Sequence, residues 1–145
     1  MSARRFIDGQ EEIACTSFSI AGSIYKRCSD LKSAISFYKN ALQLAPNDNG
    51  FFITKNLIAA HYQNNDLDSI ERIVAPKLNV KDIDGVMLGF YSYVLLTKGK
   101  DEDAKKLFLK AKEKGLTRKR LSLFVNYKKV LDEFIEKLKP LGSLD

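Results

Sequence analysis

The side chains that most often carry chemistry are sparse in this sequence. His61 is the only histidine, and Cys15 and Cys28 are the only cysteines. A metal site needs three or four such ligands at short spacing. On one predicted helix the two thiols would lie roughly 20 Å apart, which is too far for a disulfide. No glycine-rich loop follows a strand-like segment, so no phosphate cradle is expected. The sequence therefore predicts no metal, no cofactor and no enzymatic activity, and His61 is interpreted as a packed structural residue.

Basic side chains are the second group that could bind a ligand or partner. The net charge is +6, and residues 98–139 alone contain 14 lysines and arginines against 7 acidic residues. Such a stretch is typical of a solvated helix face, but it also suits an acidic partner, RNA or an anionic membrane. The alternative function is therefore a basic RNA- or membrane-associated module, for which nucleic acid and membrane remain open as partners. Its candidate surface consists of Lys105, Lys106, Arg118, Lys119 and Arg120.

Helical periodicity runs through nearly every segment, and no strand-like alternation competes with it. Asp30 and the pair Asn65-Asp66 are typical of turns and helix caps, and Gly99 is typical of a helix end. Pro76 should end or kink the helix that contains it. These signals predict an all-α chain of about seven helices, joined by short turns, in a single domain over residues 1–145.

A pattern of small and aromatic residues recurs along the chain. It occurs twice, seventy positions apart, and a degraded copy with Ile70 and Val74 lies between the two. The two clear copies are Ala34, Tyr38 and Ala41, and Ala104, Phe108 and Ala111. A period of about 35 residues indicates stacked helix pairs, in which small residues allow the helices to approach closely.

The first of these segments resembles the tetratricopeptide repeat. Its matching positions are Phe18, Ala21, Gly22, Tyr25, Ala34, Tyr38, Ala41 and Pro46. The resemblance implies a right-handed superhelical stack of antiparallel helix pairs, a TPR-like α-solenoid. It also implies three repeats and a C-terminal capping helix. The expected bounds are residues 15–48, 51–82 and 85–118 for the repeats and 118–138 for the capping helix.

The same resemblance implies where a partner would bind. In this family the first helices of the pairs line a concave groove that holds peptides. Carried over to this chain, the groove residues are Lys26, Arg27, Phe52, Lys55, Asn56, Tyr62, Phe90 and Tyr93. Aromatic residues with cations beside them suit an apolar peptide or helix that also carries acidic residues. We therefore expect a non-enzymatic adaptor or scaffold for protein–protein interaction. One alternative stays open: the capping helix or a neighbouring repeat covers these aromatics.

Two further expectations concern assembly and location. If the capping helix does not fold back, its apolar face over residues 125–138 would dock a second copy, so a homo-oligomer is a possible assembly. Two reduced thiols and no apolar run near 20 residues favour a cytoplasmic location.

Overall fold

The computed structural model describes residues 3–45, 48 and 51–144, with side chains from residue 9 onward. This part of the chain contains no strand, and a short 3-10 turn, Ala75–Lys77, follows the fourth helix. The α-helices are α1 (Ala3–Arg27), α2 (Leu31–Leu44), α3 (Phe52–Gln63), α4 (Leu67–Val74), α5 (Gly85–Thr97), α6 (Asp101–Glu113), α7 (Arg118–Ser122) and α8 (Lys128–Leu138). The predicted all-α fold is confirmed, with eight helices in the described residues rather than about seven.

The first six helices form three pairs that stack in order along the chain. Each helix packs against the next one, from α1 on α2 to α5 on α6. The first helix of each pair also contacts the first helix of the following pair, so that α1 touches α3 and α3 touches α5. This is the helical-repeat arrangement that the sequence period predicts.

The turns inside the pairs repeat the same backbone geometry. Ser29, Asn65 and Gly99 follow α1, α3 and α5 and adopt φ angles of 62°, 57° and 78°. A residue in the left-handed conformation at this place ends a helix, because the chain then turns so that the N–H groups after the helix can donate to carbonyls of its last turn. Asp30 and Asp66 then cap α2 and α4, each accepting a hydrogen bond from a first-turn N–H at 3.2 Å. The predicted capping roles of both aspartates are confirmed.

The fourth helix is shorter than its counterpart α2. It ends at Val74, two residues before Pro76, and the 3-10 turn takes over. The predicted effect of Pro76 is confirmed, because proline lacks the N–H that would continue the helix. Beside this turn lies a shallow cavity of about 370 Å³ whose lining includes Leu78 and Tyr91. Pro46, the predicted end of the first repeat, lies outside the described residues.

The predicted single capping helix over residues 118–138 is two helices, α7 and α8, separated by residues 123–127. Phe124 and Val125 each donate a backbone hydrogen bond to the carbonyl of Leu121 and close the turn. Phe124 and Val125 are both buried in this turn.

Two clusters make up the apolar core of the described residues. The smaller one lies between α2 and α3 and includes Tyr38 and Leu57. The larger one extends from α3 to the end of the described chain and includes Phe90, Phe108 and Phe134. The C-terminal segment, defined here as residues 118–141, is therefore part of the core of the second and third pairs.

Candidate functional site

An aromatic cluster forms where α8 crosses α3 and α5. The ring of Phe134 on α8 stacks on Phe90, with centroids 4.7 Å apart, and lies 4.6 Å from the ring of Tyr62. Tyr93 meets both Phe134 and Tyr62 edge-on, at 5.7 and 5.6 Å. These distances and angles are those of favourable aromatic pairs. The C-terminal segment thus places one aromatic side chain among three from the predicted groove.

Lys137 borders the same cluster on α8. Its Nζ donates a hydrogen bond to the hydroxyl of Tyr62 at 3.2 Å and lies 5.3 and 5.6 Å from the ring centroids of Tyr62 and Tyr93. Burial raises the pKa of Tyr62, because a desolvated phenolate is unfavourable. Tyr62 therefore remains a neutral phenol at physiological pH, and it accepts a hydrogen bond from the lysine.

A second contact region surrounds Phe124 in the turn between α7 and α8. Its ring lies 5.7 Å from that of Phe52, and the Nζ of Lys55 lies 4.9 Å from its centroid. Lys55 also pairs with Asp84 at 2.9 Å. Asp84 caps α5 by accepting a hydrogen bond from the N–H of Val86 at 2.7 Å. This region therefore combines a cation–π contact with an ion pair to the start of α5.

Lys26 is the most unusual of the groove residues, because its side chain is almost completely buried. Its exposed fraction is 2 %, and its Nζ donates hydrogen bonds to Asn56 Oδ1 at 2.7 Å and to the backbone carbonyl of Phe124 at 2.6 Å. Both acceptors are uncharged. Burial, with a contribution from the nearby Arg27, lowers the pKa of Lys26 to about 8. Lys26 therefore links α1, α3 and the C-terminal segment, although burial destabilises its charged form.

The structure brings most of the predicted groove residues together beneath the C-terminal segment. The buried ones are Lys26, Lys55, Asn56, Tyr62 and Phe90, Tyr93 is half-buried, and Phe52 and Arg27 are exposed. The sequence analysis left open whether another part of the chain covers the groove aromatics, and the structure places α8 over three of them. Whether these residues bind a partner stays a prediction.

Sequence reasoning missed Phe124, Phe134 and Asp84 as components of this groove. Both phenylalanines belong to an apolar pattern at helical spacing in the last part of the sequence, but such a pattern does not show which surface it contacts. Asp84 is of a residue type that caps helices, and its pairing with Lys55 joins residues 29 positions apart. Only the packing of α3 beside α5 reveals that pair.

The predicted basic surface is divided between two helices. Lys105 and Lys106 lie exposed on α6, and Lys119 lies exposed on α7. The arginines of α7 have acidic partners: Arg118 is hydrogen-bonded to Asp132 of α8, and Arg120 lies 3.8 Å from Asp84. These pairs fasten α7 to its neighbours. A role of this surface toward nucleic acid or membrane stays a prediction.

His61 lies buried near the end of α3. Its Nδ1 makes no hydrogen bond within the described chain, and it lies 3.7 Å from Oδ2 of Asp66. Burial lowers the pKa of His61, although Asp66 acts in the opposite direction. Among the described residues, no group of three histidine, cysteine or acidic side chains is placed to hold a metal ion. No described helix is long and apolar enough to cross a membrane.

Comparison with known proteins gives one match. Residues 17–48 match the family model described as Tetratricopeptide repeat, and this range covers the second half of α1 and all of α2. Neither the curated proteins nor the solved structures contain a match to this chain. The packing of the later helix pairs is consistent with further repeats of this kind. The first helix pair of this chain is therefore similar to the tetratricopeptide repeat, a unit that generally mediates binding between proteins.

Proposed function

We propose that this chain is a non-enzymatic adaptor whose concave groove binds a peptide or helix of a partner protein. The proposal rests on one observation: the ring of Phe134 packs against the rings of Tyr62, Phe90 and Tyr93. An amphipathic helix with an aromatic anchor fits this groove, because α8 is such a helix. Helix-in-groove recognition uses the same type of contact between two proteins.

The buried lysine favours a partner that carries an acidic residue. The C-terminal segment offers Lys26 only the neutral carbonyl of Phe124 at that point. A carboxylate in its place would form a buried ion pair and a charge-assisted hydrogen bond. Such a ligand would raise the pKa of Lys26 from about 8 toward its ordinary value. The partner is therefore a helix with apolar anchors and at least one aspartate or glutamate.

Partner binding in this groove requires displacement of the C-terminal segment. The contacts of Phe124 and Phe134 with the groove are the ones that a partner helix would replace. We therefore expect substitutions in the segment that leave the groove intact to increase partner binding.

This expectation is tested with a labelled peptide of residues 118–144 as the probe. The full-length chain is titrated against the peptide, and binding is followed by fluorescence anisotropy. The Phe124→Ala/Phe134→Ala variant should bind the peptide more than roughly a hundredfold more tightly than the wild type, because its own segment competes less. The matched control is Leu123→Ala/Tyr127→Ala, which changes two exposed residues of the same segment. A folded double variant that does not bind the peptide would contradict the proposal.

Capture from native lysate tests the adaptor function itself. The Phe124→Ala/Phe134→Ala variant should retain more of a specific protein than the wild type, and excess peptide of residues 118–144 should release it. Retention that the peptide does not reduce would place the binding outside the groove and would contradict the proposal.

A further inference from the structure

The cavity beside the 3-10 turn is a second place at which this protein can hold a ligand. Its volume of about 370 Å³ is near the lower end of the range of about 300–1,000 Å³ that is usual for ligand sites. It lies where α4 has already ended: α2 has 14 residues and α4 has 8, and no residue of α4 is found among the described residues that line the cavity. The apolar part of the lining consists of Leu78, Tyr91, Leu95 and Leu107.

This cavity and the groove lie on different sides of α5. Consecutive residues of a helix point about 100° apart, so Tyr91 and Leu95 each lie about 160° around α5 from Tyr93 of the groove. The remaining helical part of the lining belongs to α6, which contributes no residue to the predicted groove. A ligand in the cavity would therefore not compete with a ligand in the groove.

Tyr91 brings a polar group to this apolar lining. Only 8 % of the residue is exposed, and within the described chain its hydroxyl makes no hydrogen bond. The hydroxyls of the other two buried tyrosines, Tyr38 and Tyr62, bond to Ser23 and Lys137. Burial raises the pKa of Tyr91, so its hydroxyl is a neutral donor at physiological pH. Since buried polar groups normally have partners, an acceptor oxygen of a ligand would complete this site.

The charged part of the lining indicates the sign of the ligand. It consists of three lysines and one acid, Lys100, Lys106, Lys110 and Asp103. Within the part of the chain that the structure describes, none of the three lysines forms an ion pair. The nearby Glu71 is already paired with Lys98. Three lysines against one aspartate leave an excess of two positive charges, which favours an anionic ligand.

The shallow shape of the cavity distinguishes between a small molecule and a peptide. Ligand sites usually bury about 70–90 % of a small molecule, and a recess that is open on one side does not. A peptide needs to insert only one side chain, and its neighbouring residues can then lie across the lysines. We propose that this cavity binds an acidic peptide segment of a second partner protein, with one large apolar side chain in the recess and an acceptor oxygen at the hydroxyl of Tyr91. The protein would then bridge two partners.

The first test uses a labelled peptide with one phenylalanine between two pairs of glutamates as the probe. Fluorescence anisotropy with the full-length chain should show saturable binding. Tyr91→Phe should weaken it roughly tenfold, because the hydrogen bond to the ligand is lost. The same substitution should not lower the free energy of unfolding, since the hydroxyl has no partner within the described chain. Absence of saturable binding, or wild-type affinity in Tyr91→Phe, would overturn the proposal.

The charges are tested with two variants of α6. Lys110→Glu should weaken binding of the probe roughly tenfold, because Lys110 lines the cavity. Lys112→Glu is the matched control, since it makes the same charge change at an exposed residue of the same helix outside the lining. Equal effects of the two variants would show attraction to the net charge alone and would overturn the proposal.

Two competitors identify the site and its occupant. The unlabelled peptide of residues 118–144 should not displace the probe, because the two ligands would lie on different sides of α5. Displacement would place the probe in the groove and would overturn the proposal, whereas the groove itself is tested separately by the Phe124→Ala/Phe134→Ala variant. Octanoate should compete only weakly. Tighter binding of octanoate than of the probe would assign the cavity to a small aliphatic acid and would also overturn the proposal.

Discussion

The burial of the Lys26 ammonium group makes the free energy of unfolding vary with pH in the alkaline range. Its pKa is about 8 in the folded chain against an ordinary value of 10.5. Between these two values the unfolded chain binds more protons than the folded chain, so stability must rise with pH across this window. Relative to Lys26→Met, the wild type should gain on the order of 2 kcal/mol between pH 7 and pH 10.

Urea unfolding of both proteins at the two pH values measures this difference. All other ionisable groups are shared by the two proteins, so their contribution cancels in the comparison. An identical pH dependence in wild type and Lys26→Met would show that the Lys26 pKa is not lowered by folding.

His61 gives a second window at lower pH, in which stability again rises with pH. Its pKa is lowered by burial, so below pH 6.5 the unfolded chain takes up a proton that the folded chain resists. The contribution of His61 to stability is therefore present above pH 6.5 and is lost as the pH falls toward the folded pKa. His61→Phe should lose less stability than the wild type between pH 7 and pH 5, as measured by thermal unfolding. A larger acid loss in His61→Phe would contradict this assignment.

At the scale of helices, the contact between α5 and the end of α6 depends on one glycine. A Cβ at Gly85 would lie 2.4 Å from the carbonyl oxygen of Ala111 and 2.7 Å from the backbone N of Leu116. Backbone atoms cannot yield, so Gly85→Ala should cost roughly 2–4 kcal/mol. Gly89→Ala is the matched control, because its Cβ would meet only the Leu116 side chain, at 2.9 Å.

The two variants are compared by chemical unfolding. Gly89→Ala should change the free energy of unfolding by less than about 1 kcal/mol, because the leucine can rotate and alanine favours the helix. Equal free energies of unfolding of the two variants would show that the backbone at Gly85 does not lie so close to the backbone at the end of α6.

The helices themselves were largely predictable from the sequence. Asp30, Asp66, Pro76 and Gly99 mark ends or starts by local chemistry, and local chemistry is visible in the sequence. The break between α7 and α8 was not visible, because the residues from Ser122 to Tyr127 contain neither glycine nor proline. Phe124 and Val125 are both buried at this break, and the contact of Phe124 with Phe52 and Lys55 joins residues far apart in the sequence.

At the scale of the whole molecule, α8 belongs to one part of the core and not to the other. Phe134→Ala removes a fully buried ring from the larger cluster and should cost roughly 3–5 kcal/mol. Hydrogen exchange should increase in α8 and in the groove-facing parts of α3 and α5. It should increase much less in α2, whose core residues form the separate cluster with α3. The control Glu133→Ala changes an exposed neighbour, and uniform acceleration of all helices in Phe134→Ala would contradict this division.

The groove itself could be predicted only in part. The helical period correctly brings together residues as distant as Tyr62 and Phe90. It cannot show that Phe134 packs against both, because an apolar stripe does not reveal which other helix it contacts. The sequence therefore predicts the components of the site and leaves its occupancy to tertiary packing.

The covalent link between α6 and the C-terminal segment also sets a threshold for partners. A tethered occupant acts at an effective concentration that for short linkers reaches the millimolar range. Only four residues separate the end of α6 from the start of α7. A partner free in solution has no such advantage, so a weakly binding partner would not displace the C-terminal segment from the groove. A partner would bind only if its affinity for the groove exceeded that of the segment, or if its local concentration approached the effective concentration of the tethered segment.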